Sequence, residues 1–134
     1  MKKEVIKTPM APFKDEAGKP RVPASRVIKA NGFVFIGGTP PLDPATGELI
    51  GGDMVTQTRR VLENIKLLLE SAGSSMDLVV KSTLLCSNVA YFDDINRVYG
   101  EYFPTDPPVR TFITVGSWPR KFDIEMEVIA LAGA

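Results

Sequence analysis

Two charges interrupt the most apolar part of the chain. In "PPVRTFITVGSWPRKFDIEMEVIA", Arg110 and Glu125 are set into segments that otherwise read as strands. A strand interior accepts a charge only against a partner or a ligand, because an unpaired buried ion loses its hydration without compensation. An arginine suits a small carboxylate, since its planar fork offers two parallel charge-assisted hydrogen bonds. A glutamate in a partly desolvated cleft takes a raised pKa and can orient or deprotonate water. The pair therefore reads in two ways: a carboxylate clamp with a water-handling acid, or a structural ion pair between strands.

The residues that are missing narrow the chemistry. The sequence has 0 histidines, which excludes Ser-His-Asp and Cys-His nucleophiles, an imidazole base and His-ligated zinc. Its 1 cysteine, Cys86, allows no internal disulfide and no multi-thiolate metal site. Set between "LL" and "SN" at a strand end and without an imidazole partner, Cys86 reads as a small core residue. GxxxxGK[ST], GxGxxG and CxxC are absent, and with them the common phosphate and redox fingerprints. Gly37-Gly38 can present backbone N–H groups to an anion, but a glycine pair there also suits a bulge or a tight strand exit. Arg59 and Arg60 read as the solvated face of a helix, "DPATGE" as a turn, and Trp118 as packing in a hairpin loop between the last two strands rather than a stacking platform.

The elements that must position these residues follow from pattern. "EVIKT" suits a short first strand, and "PMAPFKDEAGKPRVP" a Pro/Gly-rich loop. "SRVIKA", "NG" and "FVFIGG" predict a β-hairpin, because Asn31 and Gly32 both tolerate positive φ. A helix starts at the Asp53 cap, carries its apolar stripe on Met54, Val61, Leu62, Ile65, Leu68, Leu69 and Ala72, and ends at Gly73 in a left-handed cap. "LVVKSTLLC" predicts a buried strand, and a second helix runs from about Tyr91 to Phe103 before "PTDPP" stops it. Two last strands, joined by "GSWPRK", complete the order β-β-β-α-β-α-β-β, an α+β layer with two helices on one face of one sheet. On the last strand Phe122, Ile124, Met126 and Val128 point one way, and Asp123, Glu125, Glu127 and Ile129 the other. On the strand before it, Arg110, Phe112 and Thr114 oppose Val109, Thr111, Ile113 and Val115. Neither Arg110 nor Glu125 needs to contact a helix on this reading, so a face against another subunit or a shared cleft can receive both.

A chain of 134 residues suits one domain spanning 1–134 with one core. There is no apolar run long enough for a membrane span and no secretory h-region near "MKKEVIKTPM", so a cytoplasmic protein is expected. Lys and Arg total 16, as do Asp and Glu. The first 30 residues nonetheless hold eight basic against three acidic side chains, which reads as a solvated strand and loop more readily than as a nucleic-acid face.

Four stretches together resemble the Rid family, the reactive intermediate deaminases, also called YjgF-type or L-PSP endoribonuclease-like: "GGTPPLDPATGEL", "TRRVLENIKLLLESAGSSMDLVVKSTLL", "FDDINRVYGEYF" and "PPVRTFITVGSWPRKFDIEMEVIA". The resemblance covers nearly the whole chain. It implies a chorismate-mutase-like α+β fold and a homotrimer with clefts between subunits. It also implies hydrolysis, without a cofactor, of 2-imino acids such as 2-iminobutanoate and 2-iminopropanoate, or their enamine tautomers, to 2-keto acids and ammonia. By that resemblance Arg110 holds the substrate carboxylate, Glu125 positions the water, and the backbone N–H of Gly38 helps to bind the substrate. Asn96 and Phe92 match positions near the cleft, and Phe112 lies two residues beyond the arginine, where the family often carries Cys. Ala24 or Ser25 stands where active deaminases usually have Tyr, and Gly37 where they usually have Ser, which marks a divergent branch. A non-catalytic trimeric module for a small carboxylate or a protein is the alternative. RNA cleavage, reported for some members, is disfavoured by the missing histidine and the neutral charge.

Overall fold

The computed structural model describes residues 2–12, 22–118 and 121–133. Most of the Pro/Gly-rich loop, residues 13–21, lies outside them. Six strands form one sheet: β1 (Glu4–Val5), β2 (Val27–Ala30), β3 (Phe33–Thr39), β4 (Val79–Cys86), β5 (Val109–Thr114) and β6 (Ile124–Leu131). Two helices, α1 (Met54–Ser71) and α2 (Phe92–Tyr102), complete the α+β layer that the sequence predicts.

Local chemistry accounts for the element boundaries. Asn31 and Gly32 take φ of 50° and 83°, the two positive angles a type I′ hairpin turn requires, and β2 and β3 pair antiparallel on either side of them. The Asp53 side chain accepts a hydrogen bond from the Thr56 N–H at 2.8 Å and starts α1. At its far end Gly73 has φ 76°, while Gly73 N–H donates to Glu70 O and Ser74 N–H to Leu69 O, which is a Schellman cap.

The sheet order is β1-β2-β3-β6-β4-β5. Only β4 and β5 pair in parallel; the other neighbours are antiparallel. The two last strands are thus not a hairpin. β4 lies between them, and the segment carrying Trp118 crosses the end of β4 to connect them. Alternation along a strand shows its faces but not its neighbour, which is why sequence pattern could not reveal this insertion.

One face of the sheet is covered. Ile36 on β3, Ile124, Met126 and Val128 on β6, and Leu84 on β4 bury against Val61, Leu62, Ile65, Leu68 and Leu69 of α1 and Ile95 and Val98 of α2. Emptying one such site, Leu68→Ala for example, costs roughly 2–5 kcal/mol. Asn64, fully buried on α1, donates to Leu42 O at 2.8 Å and Pro40 O at 3.3 Å, which fastens the segment leaving β3 to the helix. The opposite face carries exposed Phe33, Phe35, Val109, Ile113 and Leu131 and has no element over it among the described residues.

Candidate functional site

Glu125 stands on the uncovered face of β6, where alternation puts it beside Glu127 and opposite the buried Ile124 and Met126. Across from it β3 breaks register between Ile36 and Thr39. Gly37-Gly38 sits in that irregularity, so the glycine pair is a bulge that also shapes the site. The Glu125 carboxylate lies directly on Gly38. A Cβ at that position would stand 2.8 Å from Glu125 Oε1 and 3.1 Å from its Cδ. Only glycine leaves that space open, and closing it would displace the carboxylate. Burial raises the Glu125 pKa above the ordinary 4.5, and the neighbouring charge of Glu127 adds to the rise. A carboxyl so placed is a better proton acceptor than a solvated one.

The carboxylate opens onto a cavity of about 540 Å³. Its wall combines Arg26, Ser25, Gly37, Gly38, Trp118 and Phe122 with residues of the segment around Met10. Trp118 packs on Phe122 with ring centroids 4.5 Å apart, so it is a packing residue, as the sequence suggests, and part of the cavity wall as well. Among the described residues that line the cavity, Glu125 and Arg26 are the only charged ones. Among the described residues no group of three or more His, Cys, Asp or Glu could hold a metal ion.

Arg110 is elsewhere. In the parallel β4–β5 ladder it is level with Ser82, and it shares the helix-covered face with buried Ser82 and Leu84. Its guanidinium carbon stands 4.9 Å from the Tyr99 ring centroid and 5.6 Å from that of Phe92, both on or at the start of α2. The sequence leaves Arg110 without need of a helix contact; in the structure α2 provides its platform. The ion-pair reading fails too, for Arg110 and Glu125 lie on opposite faces with β4 between their strands, and no salt bridge joins them.

The cradle beneath Arg110 is built from two rings of one helix face, Phe92 and Tyr99, with Asn96 between them on that face. Phe92, Asn96 and Tyr99 follow at i, i+4 and i+7. Phe112 packs edge-on to Phe92 with centroids 4.9 Å apart, which holds that ring upright. Tyr99 shares a buried 2.7 Å hydrogen bond with Ser82, and burial raises its pKa, so the phenol stays neutral beside the cation. Among the described residues Asn96 Oδ1 is buried without a hydrogen-bond partner. The structure thus gathers Arg110, Phe92, Asn96 and Phe112 at one location and Glu125 with Gly38 at another. The sequence reading missed Tyr99 and Arg26. The first was discoverable from the seven-residue spacing to Phe92; the second had no signal beyond a cation just ahead of an apolar strand.

Comparison with known proteins agrees with this architecture. Residues 15–132 match the family described as Endoribonuclease L-PSP. A RutC family protein of Pyrococcus abyssi is 45% identical over 130 residues, covering 97% of this chain and 98% of its own. The Reactive Intermediate Deaminase A, chloroplastic, of Arabidopsis thaliana is 37% identical over 130 residues, 97% of this chain and 66% of that one. A crystal structure from Yersinia pestis, described as a protein of unknown function of the conserved Rid protein family, superposes with a TM-score of 0.87 at 36% identity, covering 98% and 100% of the two chains.

Proposed function

From a chain that belongs to the endoribonuclease L-PSP family, which is also the Rid family, we infer an imine hydrolase that converts small 2-imino acids or their enamine tautomers to 2-keto acids and ammonia. The observation that carries the reading is Glu125: a carboxyl with a raised pKa, held against a glycine and open to a cavity of ligand size. Hydrolysis of a C=N bond adds water to the carbon, forming a carbinolamine, and then expels the nitrogen as ammonia. Glu125 takes a proton from the incoming water and passes it to the imine nitrogen. It then takes the carbinolamine O–H proton and passes it to the departing amine, so the C=O forms, ammonia leaves and the carboxylate is regenerated. The Gly38 N–H, freed from regular pairing by the bulge, serves as a fixed donor to the substrate.

The carboxylate of the substrate goes to Arg110, and this requires a second copy of the chain. Within one chain the arginine and the glutamate occupy opposite faces of the sheet, so no single small molecule reaches both. The exposed row of Phe33, Phe35, Ile113 and Leu131 on the open face offers the surface on which copies would associate. A homotrimer in which Arg110 of one subunit approaches the Glu125 cavity of the next reconciles these observations. Expected residence is the cytoplasm; no described helix is long and apolar enough to cross a membrane.

The reading is tested by supplying the protein with 2-iminobutanoate generated in situ and measuring ammonia release against the spontaneous rate. Release well above that background is expected. A rate equal to background across several imino acids favours instead the non-catalytic carboxylate-binding module, a reading that rests on Glu125 being the only acid in the cavity wall among the described residues.

A further inference from the structure

We propose that Arg26 gives the cavity a second anionic subsite, so that the site prefers a 2-imino acid with a negatively charged side chain, a 2-imino dicarboxylate, over a monocarboxylate. The inference rests on the reading of the cavity as a small-carboxylate site.

Arg26 immediately precedes β2, is half-buried, and lines the same cavity as Glu125. Its Nη2 donates to Ala11 O at 2.8 Å, which fixes the plane of the group. A guanidinium has five N–H donors, and this bond uses one of them. No further side-chain hydrogen bond or ion pair satisfies it among the described residues. Holding the strand-preceding segment to Ala11 explains that single bond, but not why the residue beside a substrate-sized cavity is a cation rather than any amide donor. A half-buried guanidinium has lost part of its hydration and is arginine's usual setting for recognising a carboxylate in two-pronged fashion.

The contacts lead the same way. A 2-imino monocarboxylate carries one carboxylate, and Arg110 of a neighbouring subunit meets it. The wall's own carboxylate, Glu125, is held against Gly38 and, among the described residues, forms no ion pair with Arg26. A second carboxylate on the substrate side chain gives the half-buried guanidinium a directly bonded partner. The Trp118–Phe122 pair provides an apolar wall for the methylene groups between the two carboxylates. The reaction is unchanged: water adds to the imine carbon, ammonia leaves, and the side-chain carboxylate takes no part.

Calorimetry with two keto acids, 2-oxoglutarate and 2-oxobutanoate, tests this without requiring turnover. Wild type should bind 2-oxoglutarate about tenfold or more tighter, the scale of one added charge-assisted contact. Arg26→Gln retains an N–H able to reach Ala11 O but has no charge, and should reduce the preference to within about twofold. Equal affinity for the two acids in wild type overturns the proposal, as does a preference that Arg26→Gln leaves intact. Should Arg26→Gln not fold, Arg26→Lys takes its place: the preference should fall several-fold with the loss of the fork, and an undiminished preference counts against Arg26. Selective binding with no ammonia release would remove the hydrolase and leave the subsite standing. Turnover of 2-iminobutanoate with no dicarboxylate preference would do the reverse.

Discussion

Glu125 lies on the open face of an interior strand with its carboxylate pressed against a glycine, whereas Arg110 lies on the helix-covered face of the edge strand with its guanidinium over two aromatic rings. The carboxylate is positioned by the absence of a side chain on its neighbour, and its chemistry is tuned by lost hydration. The arginine is positioned by the presence of large flat neighbours, which support the guanidinium plane while leaving its edge to bind. Such a division suits a site with two tasks. A group that exchanges protons gains from desolvation, while a group that only binds gains from a rigid platform and an accessible edge.

The largest effect should come from the proton-exchanging half. Glu125→Gln should cut turnover about 10²–10⁴-fold while leaving keto-acid affinity largely intact. Glu127→Gln, on the same strand face but exposed, should cost much less. Equal losses from both variants would erase the special position given to Glu125. The same substitution has a stability signature. A folded-state pKa raised above the unfolded value means that protonated Glu125 is the form the fold favours, so its stability contribution is present at low pH and lost as pH rises through the folded pKa. Glu125→Gln should therefore raise the melting temperature at neutral pH and change it little below the ordinary value of 4.5.

The binding half should respond next. Arg110→Ala should weaken 2-oxobutanoate binding by roughly 2 kcal/mol, the low end for a lost buried charge partner because Arg110 is only half-buried. Arg110→Lys should recover little, since an ammonium reproduces neither the fork nor the stacking. Unchanged affinity by calorimetry would detach the carboxylate from Arg110. A smaller change tests the glycine. Gly38→Ala puts a methyl where Glu125 Oε1 is 2.8 Å away; the carboxylate is the movable end of a side chain, so the fold should hold. Turnover should fall about tenfold, one notch of transition-state stabilisation, with the melting temperature nearly unchanged. A large drop in melting temperature would make Gly38 a folding residue rather than a site residue.

Much of this architecture was legible in the residues. Asn31-Gly32, the Asp53 cap, Gly73 and the alternation on β6 each encode a local backbone or face preference, and local preferences survive folding here. The face and neighbour of β5 were not legible. Its alternation, with Arg110 opposite Val109 and Thr111, would look the same beside β6 as it does beside β4 in parallel. What decided the matter was tertiary: α2 offers Tyr99 and Phe92 to whichever residue stands level with Ser82. The bulge at Gly37-Gly38 was readable as a bulge, but that its purpose is to admit the carboxylate of Glu125 depends on a residue 87 positions away, as the numbering shows.

Whether Arg110 and Glu125 serve one site from different chains is best decided by mixing inactive variants. Arg110→Ala and Glu125→Gln chains are each expected to release little ammonia alone. Co-refolded in equal amounts, they should form some interfaces in which an intact arginine of one chain meets an intact glutamate of the next, in about a quarter of the sites of a head-to-tail ring. Ammonia release from 2-iminobutanoate in the mixture should then recover to about that fraction of wild type. A mixture that exchanges subunits yet stays as inactive as its components would contradict the shared site.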